Sequence, residues 1–134
     1  MGDYAPLLER AFALNPSEQC YTIEAIEGEL PDFIRGTYYL NGPAKFARTG
    51  LRYRHWLDGD GMVCALRFAP GQVHFTNRFV RSAKFVAEET AGQALFRTFG
   101  TSFAAARMKR GMALESPVNV SVYPYNGTLL AFGE

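Results

Sequence analysis

Two runs of alternating apolar character, residues 62–68 and 73–81, flank Ala69-Pro70-Gly71-Gln72 and leave the chain little choice there. Met62, Cys64, Leu66 and Phe68 fall on one side of the first run, with Val63, Ala65 and Arg67 on the other. Val73, Phe75 and Phe79 share one face of the second. A period of two is the spacing of a strand, and Pro-Gly between two such runs turns the chain back on itself. The segment is a β-hairpin. Another follows near the end: Val118, Val120 and Val122 alternate with Asn119, Ser121 and Tyr123, Asn126-Gly127 makes the turn, and residues 128–132 return.

The remaining chain reads as more short strands behind one helix. Residues 21–26 are strand-like and are broken by Gly28-Glu29-Leu30-Pro31, and residues 36–41 form a strand closed by Gly42-Pro43. Upstream, residues 4–14 place Leu7, Leu8, Ala11, Phe12 and Leu14 largely on one helical face, and Asn15-Pro16-Ser17 ends the pattern. That helix is expected to pack on the body, with contact to a membrane surface as the alternative. Residues 83–90 read as loop or weak strand, and residues 92–99 as loop or short helix. Residues 103–110 read as a brief helix carrying Arg107, Lys109 and Arg110, a solvated face or, more sharply, a site for anionic lipid headgroups. Together these elements predict an all-β sandwich, barrel or propeller with a short N-terminal helix. Residues 1–20 are the helical lead-in and residues 21–134 the β-rich part of a single segment. An apolar strand that runs to Glu134 without a polar tail is read as cut short.

Composition excludes several classes of function. The 48% hydrophobic content argues against disorder, and a net charge of +1 gives no electrostatic case for nucleic acid. No run of about 18 apolar residues is present to span a bilayer. Met1-Gly2-Asp3 lacks the basic start of a secretory signal, so the expected location is cytoplasmic, with membrane association as the alternative. On the same ground, Asn119-Val120-Ser121 and Asn126-Gly127-Thr128 are read as strand and turn residues rather than glycosylation sites. Cys20 and Cys64 have no metal spacing, and Cys64 is read as a small buried hydrophobe.

The most site-like stretch is residues 53–62, Y-R-H-W-L-D-G-D-G-M. Two readings compete for it. His55, Asp58 and Asp60 are three candidate ligands for an ion, calcium included, with glycines bending the backbone around it. Alternatively, Asp58-Gly59-Asp60-Gly61 is a tight corner leading into the strand at Met62, fixed by packing and hydrogen bonds of His55 and Trp56. The corner is favoured, because Asp-Gly pairs between apolar runs are among the strongest short-range hairpin signals, and an EF-hand loop needs a closing Glu that Met62-Val63-Cys64 does not supply.

In order along the chain, Gly28-Glu29-Leu30-Pro31, Arg35-Gly36-Thr37-Tyr38-Tyr39, Asn41-Gly42-Pro43, His55-Trp56-Leu57-Asp58-Gly59-Asp60-Gly61-Met62, Asn77-Arg78-Phe79-Val80-Arg81, Phe99-Gly100-Thr101, Asn119-Val120-Ser121-Val122 and Leu129-Leu130-Ala131-Phe132-Gly133-Glu134 resemble the N-terminal part of the carotenoid cleavage oxygenase family. That family includes carotenoid, apocarotenoid and stilbene dioxygenases and the retinoid isomerase of the eye. Leu40 stands where the family usually has Arg, and Leu57 where it has Phe. The resemblance covers residues 26–134 and implies a seven-bladed β-propeller. At roughly 40–50 residues per blade, this chain supplies about one blade plus flanking strands.

The resemblance further implies an Fe(II) cofactor held by four His, which activates O2 to cleave an alkene bond of an apolar conjugated substrate. None of the four ligand positions falls within this sequence, and His55 and His74 match none of them. By itself the chain is therefore expected to hold no iron and to be inactive. Glu134 aligns with a glutamate that hydrogen-bonds the far nitrogen of a ligand His, a contact that orients such a ligand. Leu57, Phe99 and Gly133 align with positions lining the substrate tunnel. Residues 103–114 align with a segment used at membrane surfaces. The alternative to an oxygenase segment is a non-catalytic β-rich interaction module.

Overall fold

Both anticipated hairpins form, and the first lies at the centre of a four-stranded antiparallel sheet. The computed structural model describes residues 5–13, 15–107 and 115–133. A helix α1 (Ala5–Phe12) precedes strands β1 (Gln19–Ile23), β2 (Gly36–Lys45), β3 (Ala47–Arg48), β4 (Leu51–Arg52), β5 (Asp60–Ala69) and β6 (Gln72–Phe79). Helix α2 (Ala83–Ala91) and strands β7 (Ser121–Tyr125) and β8 (Thr128–Phe132) complete the chain. The sheet runs β1-β6-β5-β2, while β3-β4 and β7-β8 are separate two-stranded pairs. β1 thus joins the outer edge out of sequence order.

Register sorts the side chains of the sheet into two faces. Tyr21 opposes Phe75, Phe75 opposes Leu66, and Leu66 opposes Tyr38, which makes an apolar row across all four strands. One residue along, Thr22, His74, Arg67 and Thr37 form a row on the opposite, polar face. The buried core is small: Phe46, Tyr53, Met62, Val73 and Phe85. Helix α1 closes part of it, with the Phe12 ring 4.9 Å from Phe46 and 6.0 Å from Trp56, as the packed-helix reading requires.

The structure departs from the sequence reading in four places. β2 does not stop at Gly42-Pro43 but continues to Lys45, with a register shift between Pro43 and Lys45. Proline is tolerated because β2 is an edge strand that has no ladder bond to lose on its free side. Residues 83–90 are not loop or weak strand but helix. The Ser82 hydroxyl accepts from Phe85 N at 3.1 Å, and Gly92, left-handed at φ 66°, ends the helix. Residues 92–99, read as loop or short helix, take the loop form, with Phe96 bridging Arg107. Residues 103–107 turn rather than coil into a helix, with Ala105 left-handed at φ 64°, while Lys109 and Arg110 lie outside the described residues. Val118 (φ 53°) precedes rather than opens β7. Asn126-Gly127 does turn β7 into β8, with φ of 45° and 75° at its two central residues.

Candidate functional site

The corner at residues 55–61 is real, but it is not a hairpin turn. Trp56–Asp58 form a single 3-10 turn capped reciprocally: His55 Nδ1 accepts from Leu57 N at 3.2 Å, and Asp58 Oδ2 accepts from His55 N at 3.2 Å. Gly59 sits in ordinary extended backbone (φ −64°, ψ 136°), so a left-handed turn is not why glycine is needed there. Space is. A Cβ on Gly59 would meet the Phe46 ring at 2.6 Å, and one on Gly61 would run into the Val118 carbonyl.

Two later segments, around residues 100–101 and 117–119, lock onto this corner. Asp58 is fully buried; its Oδ1 accepts from Gly100 N at 2.8 Å and its Oδ2 from the Thr101 hydroxyl at 2.5 Å. Asn119 Nδ2 donates to Leu57 O at 2.9 Å and to Gly59 O at 2.6 Å. Gly61 N donates to Pro117 O at 2.9 Å, and Asn41 Nδ2 donates to Val118 O and Ser121 O, both at 3.0 Å. The corner thus ties the four-stranded sheet to the β7-β8 hairpin.

Beneath it lies a cluster of charges that the sequence reading missed. Lys84 Nζ, with no exposure, donates to Asp60 Oδ1 (2.7 Å), Glu88 Oε2 (2.8 Å) and the Tyr53 hydroxyl (2.9 Å). Arg48 Nη2 pairs with Asp60 Oδ2 at 2.6 Å, and Arg48 Nη1 reaches Glu89 at the rim. Arg48 Nε lies 2.8 Å from Glu88 Oε2, an ion-pair distance without a hydrogen-bond angle. The other Glu88 oxygen accepts from Leu95 N (2.9 Å) and Phe96 N (3.1 Å). Two cations and two carboxylates therefore cancel in the buried part of the cluster.

Titration follows from that balance. Burial disfavours the Lys84 ammonium, but Asp60, Tyr53 and Glu88 outweigh it and hold the group above its ordinary value. Burial likewise disfavours the Glu88 carboxylate, and Lys84 with the Leu95 and Phe96 amides holds it below the usual range. The Tyr53 phenol is pushed up to about 12, mainly by burial, against the opposing pull of Lys84.

These contacts decide the fate of the sequence-nominated residues. Asp58 and Asp60 spend their oxygens on amides, a hydroxyl, Arg48 and Lys84, so the disfavoured alternative of His55, Asp58 and Asp60 as ion ligands has no carboxylate oxygen left to offer. Among the described residues, no group of three or more His, Cys, Asp or Glu could hold a metal ion. These side chains do not fit an iron site. His55 and Trp56 do fix the corner: the His55 ring packs 4.8 Å from Phe99, and Trp56 packs 5.1 Å from Phe46. Leu57 is half-buried, Phe99 is 66% exposed, and a Cβ on Gly133 would strike the Ser116 hydroxyl. All three border the corner or the 116–119 segment clamped to it. Glu134 lies outside the described residues. Cys64 is only partly buried, less than the sequence reading anticipated.

A family model described as the retinal pigment epithelial membrane protein, RPE65, matches residues 12–134. The chain belongs to the carotenoid cleavage oxygenase family. The apocarotenoid-15,15'-oxygenase of Synechocystis is 35% identical over 93% of this chain and 26% of its own length. The isoeugenol monooxygenase of Pseudomonas nitroreducens is 33% identical over 81% of this chain and 22% of its own. Among solved structures, an ACO/RPE65 chimera superimposes with a TM-score of 0.82 at 33% identity, over 91% of this chain and 26% of that one. Cobalt-substituted Synechocystis ACO superimposes with a TM-score of 0.75 at 31% identity, over 91% and 26% of the two chains. The chain thus spans about a quarter of the length of the curated relatives it matches. Its fold is the opening part of a β-propeller, containing the four-stranded sheet and the β7-β8 hairpin. Among the described residues, no helix is long and apolar enough to cross a membrane.

Proposed function

We propose that this carotenoid cleavage oxygenase segment is the N-terminal part of a non-haem iron(II) dioxygenase that cleaves an alkene bond of a carotenoid, apocarotenoid or stilbene-like substrate with O2. The chain contributes scaffold and tunnel wall rather than metal ligands, and by itself it is inactive. Leu57, Phe99 and Gly133 line the apolar tunnel, and Glu134 orients an iron-ligating His supplied from elsewhere. The enzyme works in the cytoplasm and meets membranes peripherally through residues 103–114, where its greasy substrate dissolves.

The observation that carries this reading is the exposed apolar surface of the β7-β8 hairpin in a chain that matches propeller oxygenases. Large apolar side chains stand exposed on both faces of this two-stranded sheet: Tyr123, Tyr125, Leu129, Leu130 and Phe132. An isolated two-stranded hairpin is marginal in water, and this one is built to be covered. The same exposure weighs against the alternative of a self-contained interaction module.

A chimera tests the proposal. Residues 1–134 replace the matching N-terminal quarter of the Synechocystis apocarotenoid-15,15'-oxygenase, and apocarotenoid cleavage is followed by loss of polyene absorbance. The reading predicts cleavage, with substrate preference altered by Leu57→Phe. A folded chimera that binds substrate but never cleaves it contradicts the reading.

A further inference from the structure

The polar face of the sheet carries an arrangement unrelated to the corner. The Cys20 sulfur lies 3.3 Å from Nε2 of His74, and Nδ1 of the same ring lies 3.3 Å from the Thr22 hydroxyl oxygen. Strand register produces this: Cys20 opposes Thr76 and Thr22 opposes His74, so the Cys20–His74 contact is the diagonal between two paired positions on one face. The Thr76 hydroxyl donates to the Cys20 sulfur at 3.5 Å. With the ring proton on Nδ1 and given to Thr22, Nε2 presents its lone pair to the thiol. A nucleophile, a base in contact with it, and a third group orienting the base are the parts of an activated thiol.

Two further observations extend the arrangement. Cys20 is exposed, whereas Cys64 sits partly buried on the opposite face, where burial pushes its thiol up. A cavity of about 340 Å³ opens beside His74, lined by Thr22, Arg67, Ala69, Gln72 and His74 itself. Arg67 is the cross-strand neighbour of His74 and brings a positive charge to that cavity.

We propose that Cys20, His74 and the Arg67 cavity form a thiol-modification site for small disulfides that bear carboxylates. His74 accepts the thiol proton as the Cys20 sulfur attacks one sulfur of the bound reagent. The reagent's S–S bond breaks, a mixed disulfide forms on Cys20, and the leaving thiolate takes the proton from His74. One disulfide is consumed and one is made, so no other oxidant is needed. Arg67 holds the carboxylate of the incoming reagent.

The test is the reaction of the whole 134-residue chain with dithiobis(nitrobenzoate), read from released thionitrobenzoate, with near-UV circular dichroism confirming that each variant keeps the parent fold. The proposal expects a fast phase that Cys20→Ser removes and Cys64→Ser leaves intact. His74→Gln slows that phase about tenfold, the scale set by losing the base that favours thiolate. Thr22→Val slows it less. Arg67→Gln slows the anionic reagent but not uncharged dithiodipyridine. Equal rates at Cys20 and Cys64, or a His74→Gln rate within about twofold of the parent, overturn the proposal.

Discussion

Lys84→Met removes the ammonium at the centre of the buried cluster while roughly keeping the volume of the side chain. In the parent, Lys84 Nζ satisfies Asp60 Oδ1 at 2.7 Å, Glu88 Oε2 at 2.8 Å and the Tyr53 hydroxyl at 2.9 Å. All these partners are buried, so water cannot replace what is lost. Arg48 then faces two buried carboxylates alone. Removing one member of a buried charge pair costs about 3–5 kcal/mol, and Arg48, which still reaches both acids, places Lys84→Met near about 3 kcal/mol. Adding Glu88→Gln to Lys84→Met removes one excess negative charge. The double variant is therefore expected to cost less than the sum of the two singles, by about 1–3 kcal/mol of coupling. Urea denaturation of the four proteins, followed by tyrosine and tryptophan fluorescence, measures the cycle. A single-variant loss under about 1 kcal/mol, or strict additivity, refutes the claim that these charges depend on one another.

Four further outcomes follow from the same contacts. Stability should be level near neutral pH and fall at both extremes. The Glu88 contribution is complete above the ordinary carboxylate value and is lost as pH falls through its lowered one; those of Lys84 and Tyr53 are complete below their ordinary values and lost as pH rises through the raised ones, for Tyr53 between about 10 and about 12. Thermal melts across pH check this. Gly61→Ala must displace the Val118 carbonyl that receives Asn41, and should cost about 1–3 kcal/mol in urea denaturation, although Gly61 is not a left-handed residue. Asn119→Ala leaves the carbonyl of Leu57 and the buried one of Gly59 without their shared donor and should cost about 1–3 kcal/mol. Gly127→Ala, at φ 75°, should cost about 1 kcal/mol and speed amide exchange in β7 and β8.

The hairpins were legible because their signals are local: two alternating runs and a Pro-Gly or Asn-Gly turn decide them within twenty residues. Helix α2 was missed although its marks were present, with Ser82 before it, Gly92 after it, and Lys84 and Glu88 one turn apart on its buried face. Residues 83–90 read as loop or weak strand because charged residues inside a helix declare no partner in sequence. The cluster itself was out of reach, since Arg48, Asp60 and Glu88 meet only after β3, β5 and α2 are folded together. The Asp-Gly-Asp-Gly stretch was recognised as a corner for the wrong physical reason. Its glycines are required where Phe46 and Val118 approach, and nothing in sequence spacing announces an approach by a segment nearly sixty residues away.

The central claim is that this chain is scaffold for an iron centre whose ligands lie outside it. Iron per polypeptide, measured by plasma emission after anaerobic loading with Fe(II) and desalting, tests it most directly. The account predicts a negligible ratio for residues 1–134 alone and close to one iron per chain for the Synechocystis chimera carrying them. Stoichiometric iron retained by residues 1–134 alone, or a folded chimera without iron, contradicts it.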